Sequence, residues 1–117
     1  TDPLLRQRLA RLWTTEEILR LIRLRTVTSA VRGGPPGPEA SVRKVIADEH
    51  GQEVMAVAKD LAGAAGMLDR SGPLGSADPT WAMGYEFSRA LTIGGGTGEI
   101  QRTILAERVL GLPSDPG

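Results

Sequence analysis

The sequence predicts an all-α fold, an antiparallel helical bundle, on three observations. Apolar residues recur at three- and four-residue steps over most of the chain, no stretch alternates β-branched with polar residues, and no Asn-Gly or Asp-Gly hairpin dipeptide occurs. With 117 residues and 40% hydrophobic content the chain is expected to be one domain, residues 1–117, with one core. No internal repeat points to a solenoid.

The first element runs from Pro3 to about Arg32, where Leu5, Leu9, Leu12, Trp13, Leu19, Ile22, Val27 and Val31 recur at helical spacing with charges between them. At the usual rise this helix is roughly 45 Å long, a length suited to a bundle. Thr14-Thr15-Glu16-Glu17 has two readings: a capping box that restarts the helix, or continuation with a Glu-Arg pair toward Arg20. Gly33-Gly34-Pro35-Pro36-Gly37-Pro38 ends the helix, and so short a turn makes its neighbour antiparallel.

The second helix is predicted from about Glu39 to Leu61. Val42, Val45, Ile46, Val54, Val57, Ala58 and Leu61 form its inward face, while Arg43, Lys44, Asp48 and Glu49 face water. Gly51 costs about 1 kcal/mol relative to alanine in a helix interior, so the close approach of another helix is the reason to keep it. Ala62-Gly63-Ala64-Ala65-Gly66 reads as a helix end made of small residues, and Ser71–Ser76 as a surface loop. Asp78-Pro79 reads as an N-cap and first helical proline. A shorter third helix then holds Trp81, Met83, Phe87 and Leu91 and ends at three glycines. The last helix, Gly98 to about Leu110, buries Ile100, Ile104, Leu105 and Val109 and stops at Gly111 with Pro113 beyond.

Composition narrows the function classes. Fourteen basic residues balance fourteen acidic ones, leaving no net field to recruit nucleic acid or an anionic membrane. The arginines Arg6, Arg8, Arg11, Arg20, Arg23 and Arg25 make the first segment locally basic, as a solvated helix face. The absence of cysteine excludes disulfides, thiol nucleophiles and thiolate metal sites and fits a reducing interior. No signal-type segment and no run of about 18 apolar residues occurs, so a cytoplasmic protein without a membrane span is expected. The single histidine, His50, has no partner at ligand spacing and reads as a surface or packing residue, and no metal is expected. No serine lies in a nucleophile elbow.

The most informative segment is Gly94-Gly95-Gly96-Thr97-Gly98-Glu99-Ile100-Gln101-Arg102. Three glycines admit left-handed backbone and close approach by a ligand, and Thr97 can cap the helix that follows. The unpaired N–H groups of that first turn and the positive end of the helix dipole suit an anion. The plain alternative is a tight helix-helix connection. The segment is not a Walker motif, since it lacks the Gly-Lys-Ser/Thr ending, and a helix precedes it where a dinucleotide-binding fold requires a strand.

The run from Leu91 to Pro113 resembles the C-terminal signature of the flavin-dependent acyl-CoA dehydrogenases, in which a Gly-Thr-x-Glu-Ile-Gln-Arg turn opens the last helix. Phe87–Ile93 resembles the short helix leading into that turn, and Pro38–Lys44 the start of a long helix of the same domain; together the resemblance spans nearly the whole chain. It implies the C-terminal helical domain of a longer protein, lacking the first long helix of its bundle and therefore exposing an apolar seam. It also implies dehydrogenation of an acyl-CoA thioester, in which a carboxylate removes the α-proton as the β-hydrogen leaves as hydride to FAD.

The carry-over makes Gly96 a backbone contact to the acyl-CoA substrate and Thr97, Gly98 and Glu99 contacts to FAD. Asp60 and Gly63 match a second FAD element that serves a neighbouring subunit, with Asp60 standing where the family has glutamine. An ionised carboxylate accepts hydrogen bonds but donates none, a departure at that contact. The position of the usual turn-borne base is Gly95, so three readings stay open: a base on the upstream helix, a non-catalytic partner subunit, or no activity. The resemblance further implies a homodimer or tetramer, or a heteromer, and electron-transfer flavoprotein or a similar acceptor as partner. Read without it, the chain also suits a helical scaffold or interaction module whose turn binds nothing.

Overall fold

The computed structural model describes residues 2–35, 37–68 and 80–114. The described residues form four α-helices: α1 (Pro3–Val31), α2 (Glu39–Leu61), α3 (Thr80–Ser88) and α4 (Gly98–Arg108). A first 3-10 turn, Gly63–Met67, follows α2, and a second, Arg89–Thr92, follows α3. No strand occurs among the described residues, in keeping with the all-α reading. The loop read at Ser71–Ser76 and the cap read at Asp78-Pro79 lie outside the described residues.

α1 is unbroken, which decides between the two readings of Thr14–Glu17. The Thr14 hydroxyl donates to the Ala10 carbonyl at 2.9 Å instead of capping a new helix, and Glu17 pairs with Arg20 one turn on. The side chain of Asp2 caps the N-terminus by accepting from the Leu4 N–H. At the other end Gly33 takes φ +73°, with Gly34 N–H bonded to Ser29 O and Gly33 N–H to Ala30 O. This pair of bonds is a Schellman motif, in which a left-handed glycine satisfies carbonyls the helix leaves open.

α1 and α2 lie antiparallel along their lengths. Arg8 pairs with Asp60 at 2.6 Å, Glu16 lies 3.4 Å from His50, and Arg25 reaches Glu39 at 3.8 Å. These pairs are partly exposed and contribute little energy each, so they mark register more than they hold the seam. α3 with its 3-10 extension runs antiparallel to α2 on another side. Lys59 stacks 4.1 Å from the Tyr85 ring centre, Arg89 donates to Gln52 at 2.9 Å, and the Leu91 side chain lies against Gly51. α4 also packs on α2, through an ion pair between Arg102 and Glu49.

α2 is thus the common partner of every other helix. The principal extents are 54 × 36 × 27 Å and the radius of gyration is 18.1 Å. A chain of this length packed around a closed core has a radius of roughly 13 Å. The helices therefore form an open layer on α2, and among the described residues Val57 is the one fully buried apolar side chain.

Openness corrects several expected inward faces. On α1, Leu5, Leu12, Leu19 and Ile22 are half-buried, but Leu9, Trp13, Val27 and Val31 are exposed. Leu61 of α2, and Ile100 and Val109 near α4, are exposed as well. Trp81, Met83 and Phe87 point largely outward, while Leu91, in the 3-10 turn beyond the end of α3 at Ser88, lies against Gly51; the side of α3 toward α2 is made of Gly84, Tyr85 and Ser88 instead. Small residues allow closer docking than the large ones read as core: a Cβ on Gly84 would stand 2.8 Å from Met55 Sδ. α4 ends at Arg108, two residues early, although Gly111 does take φ +65° as the stop signal predicts. Lys44 and Asp48, read as water-facing, are turned toward the segment after α3.

Gly66 is the most constrained glycine, since a Cβ there would stand 2.3 Å from the Lys59 carbonyl oxygen, a backbone atom. Gly66→Ala should lower the stability of the protein by about 1–3 kcal/mol, the usual penalty of overpacking. Gly84→Ala meets only a flexible methionine and gains helix propensity, so it should fall within about 0.5 kcal/mol of the parent. Urea denaturation of both variants checks the contrast; equal midpoints would contradict it.

Candidate functional site

The glycine turn is set in place by α2. The second 3-10 turn docks on it through Gln52, whose amide accepts from Arg89 and donates to the Thr92 hydroxyl at 3.1 Å. Gly51 makes the approach close, since a Cβ there would stand 2.8 Å from Leu91 Cδ1. Lys44 donates to the Leu91 carbonyl at 2.9 Å and pairs with Asp48. The chain then turns at Gly94, whose N–H bonds to Ala90 O at 2.8 Å, and passes through left-handed backbone at Gly95 (φ +71°) and Gly96 (φ +96°). Those angles are strained for any residue with a Cβ, which explains the two glycines.

Thr97 is the N-cap of α4, extended at φ −63° and ψ 161°, and its hydroxyl oxygen accepts from the Ile100 N–H at 3.4 Å. The Gln101 side chain folds back to donate to Gly95 O at 3.3 Å, closing the turn from the helix side. Glu99 is held below the ordinary carboxylate range, first by its own backbone N–H, then by the Thr97 hydroxyl, with a smaller contribution from the Arg102 charge. The Thr97 hydroxyl oxygen is thus engaged with the helix start, where the Glu99 carboxylate is favoured in its ionised form.

The backbone N–H groups of Gly96, Thr97 and Gly98 have no acceptor among the described residues. Open main-chain donors at a helix mouth suit an oxygen-rich or anionic group and fit the phosphate or ribose part of a nucleotide cofactor. A cleft of about 270 Å³ lies beside them, between α4 and α2, bordered by Gly98, Glu99 and Arg102 on one side and Asp48, Glu49 and Gln52 on the other. Pockets that enclose a drug-sized ligand begin at about 300 Å³, so this cleft can border part of a large cofactor but not contain one.

Gly95, Gly96, Thr97, Gly98 and Glu99 therefore share one turn, whereas Asp60 and Gly63 do not join them. Twelve residues separate Asp60 from Asp48 on α2, which places it roughly 18 Å along the helix axis from the turn. There the Asp60 carboxylate accepts from Arg8, and Gly63 takes φ +58° in open space. His50 is nearly buried in the α1–α2 seam, facing Glu16, as a packing residue. Sequence reasoning missed Lys44, Gln52 and Gln101, the three side chains that hold the turn. The i,i+4 spacing of Lys44 and Asp48 was visible, but not the direction in which that pair faces.

Two outcomes follow from the cap. Thr97→Val should destabilise α4 by about 1 kcal/mol, the usual value of a hydroxyl N-cap, as read by thermal denaturation. Because Glu99 ionises more readily when folded, its contribution is present above its unfolded pKa and is lost as pH falls through the lower folded value. A Glu99→Gln variant should accordingly lose stability at neutral pH and converge on the parent in acid. A constant difference from pH 7 to pH 3 would contradict the assignment.

A family model described as acyl-CoA dehydrogenase, C-terminal domain, matches residues 1–110. The chain is 40% identical over 114 residues to an acyl-CoA dehydrogenase named IpdE1 from Mycolicibacterium smegmatis, and 41% identical over 118 residues to that of Mycobacterium tuberculosis. Each alignment covers 97% of this chain but only 27% and 28% of the relatives, so the chain spans little more than a quarter of their length. Among solved structures, the ChsE4-ChsE5 complex from Mycobacterium tuberculosis matches at TM-score 0.80 and 30% identity, covering 97% of this chain and 29% of that one. The Tcur3481-Tcur3483 steroid ACAD shares the fold at TM-score 0.82 and 24% identity, covering 97% of this chain and 30% of that one. With a glycine turn opening a capped terminal helix and a family match over nearly its whole length, the chain belongs to the acyl-CoA dehydrogenase family, as a C-terminal helical domain.

Proposed function

We propose that this domain is the C-terminal part of an FAD-dependent acyl-CoA dehydrogenase that oxidises an acyl-CoA thioester to the 2,3-enoyl-CoA. The observation that carries this reading is the glycine turn, with its open N–H groups at the mouth of α4. FAD, when bound, supplies the hydride acceptor. Gly96 has no side chain to keep a thioester away, and the Thr97 and Gly98 amides are donors for a cofactor oxygen. Thr97 holds this backbone in place by capping α4, and Glu99, ionised at the same helix start, complements its dipole.

Asp60, near the end of α2, and Gly63, just beyond it, stand apart from the glycine turn, and in this reading they serve the flavin of a second protomer. The reading includes a homodimer, tetramer or heteromer, electron-transfer flavoprotein or a similar acceptor as partner, and a cytoplasmic location. The exposed apolar residues of α1 and α3 also favour assembly, because open hydrophobic surface of this kind is ordinarily covered.

Gly95 cannot remove a proton, so in this reading the base stands on a part of the protein preceding this domain. Glu99 is not a substitute, because a carboxylate held in its ionised form by a helix cap is a poor proton acceptor. A second reading, a non-catalytic subunit of a heteromeric dehydrogenase, is favoured by the same glycine and by similarity to a chain of the ChsE4-ChsE5 complex.

The complete protein should purify with bound flavin and reduce an artificial electron acceptor when given acyl-CoA. Thr97→Ala should weaken flavin binding about tenfold, the consequence of losing roughly 1.4 kcal/mol at the cofactor-binding turn. Flavin without activity, restored by co-expression with a second dehydrogenase subunit, would select the partner reading. A colourless protein that FAD does not reconstitute would overturn both.

A further inference from the structure

The Leu91 carbonyl closes the second 3-10 turn, immediately before the chain enters the glycines, and the group that meets it is the Lys44 ammonium from α2. The same ammonium pairs with Asp48 one helical turn on, so it is held at both ends, and both side chains are largely withdrawn from water. The aliphatic stem of Lys44 continues along the turn: a Cβ on Gly95 would stand 3.4 Å from its Cε. A cation at the carboxyl end of a helical segment satisfies carbonyls that have no partner within the segment and opposes their negative partial charge. Hydrogen bonds with one ionised partner are roughly twice as strong as neutral ones.

Beside Lys44, the turn is fixed by Gln52 of α2, which donates to the Thr92 hydroxyl, and by the bonds of the Ile93 and Gly94 N–H groups to the Ala90 carbonyl. Triglycine has the greatest conformational freedom of any tripeptide, and the open N–H groups of Gly96, Thr97 and Gly98 contribute no internal bond. Gln101 ties one end to α4 by a neutral bond of 3.3 Å. At the other end Lys44 joins the turn to the one helix that all the others share.

We propose that Lys44 is a positioning residue for the site: anchored by Asp48, it fixes the Leu91 carbonyl and thereby sets where the Gly94–Gly96 backbone and its ligand-facing amides stand. This inference rests on the dehydrogenase reading only for the ligand-binding part of its test. Lys44 acts through the turn and touches no reacting atom.

The test uses the complete protein with Lys44→Met, which keeps the stem and removes the ammonium, beside Lys44→Arg, Asp48→Asn and the exposed control Arg43→Met. Amide hydrogen exchange is read at Ile93 and Gly94, both bonded to the Ala90 carbonyl. The expected result is exchange faster by about tenfold at these amides in Lys44→Met, as local opening becomes easier while the α1–α2 seam keeps its parental rates. Asp48→Asn should show a smaller effect at the same place, Lys44→Arg should recover part of the protection, and Arg43→Met should show none.

In the flavin-loaded protein, Lys44→Met should raise the acyl-CoA concentration that half-saturates the flavin spectral change and raise KM several-fold with kcat nearly unchanged. Unaltered exchange at Ile93 and Gly94 would overturn the proposal. So would exchange raised equally across α1 and α2, or the same effect from Arg43→Met. A colourless protein would sink the dehydrogenase reading while the exchange measurement still decides the role of Lys44.

Discussion

Everything in this domain depends on α2, because it is the one helix against which all the others pack. α1 lies along one side of it, and α3, the second 3-10 turn and α4 occupy the rest. A helix contacted on several sides keeps a narrow polar strip in water, Glu49, Glu53 and Asp60. Lys44, Asp48 and Gln52, which on a peripheral helix would sit in water, become the connections through which α2 positions its neighbours. Gly51 and the facing Gly84 have the complementary role of admitting the Leu91 and Met55 side chains.

The same arrangement leaves the domain thin. A layer of helices on a single central helix encloses almost nothing, which is why Val57 is so rare a case and why Trp13, Val31, Phe87 and Ile93 remain in contact with solvent. Removing such side chains from water provides about 25 cal/mol per Å², and in this arrangement much of that stabilisation is still available to whatever packs on α1 and α3. Backbone devices do more of the local work than core packing does: the Schellman turn after α1, the buried Gly66 and the Thr97 cap each end or begin an element without a large apolar contact.

The functional turn illustrates how a weakly ordered peptide acquires a definite shape. Gly94–Gly96 has no side chains to lock it, and the segment that carries the left-handed angles at Gly95 and Gly96 is tied at both ends, to α2 through Lys44 and Gln52 and to α4 through Gln101. Thr97 and Glu99 use their own polar groups to stabilise the start of α4. What remains open toward a ligand is main chain, which tolerates no substitution of chemistry but is sensitive to position.

Several local signals were read correctly because their cause is local. The helical periodicity of residues 3–31 and 39–61, the stops at Gly33 and Gly111, and the cap at Thr97 follow from backbone conformation and hydrogen bonding within a few residues, and the glycine turn was recognisable for the same reason. Which apolar residues are inside was not legible. Leu9, Trp13, Phe87 and Ile100 have the right spacing for a core, but burial depends on whether another element covers that face, and periodicity describes only one helix at a time. Nor could spacing show that Lys44 faces the turn, or that Asp60 and Gly63 stand a helix length from Thr97. By itself the sequence determined the helices, the ends of α1 and α2 and the cap that opens α4, because these are properties of neighbouring residues. The tertiary structure alone decided that α2 is the shared partner and that its polar side chains hold the bend, because those relations exist only once distant segments are packed together.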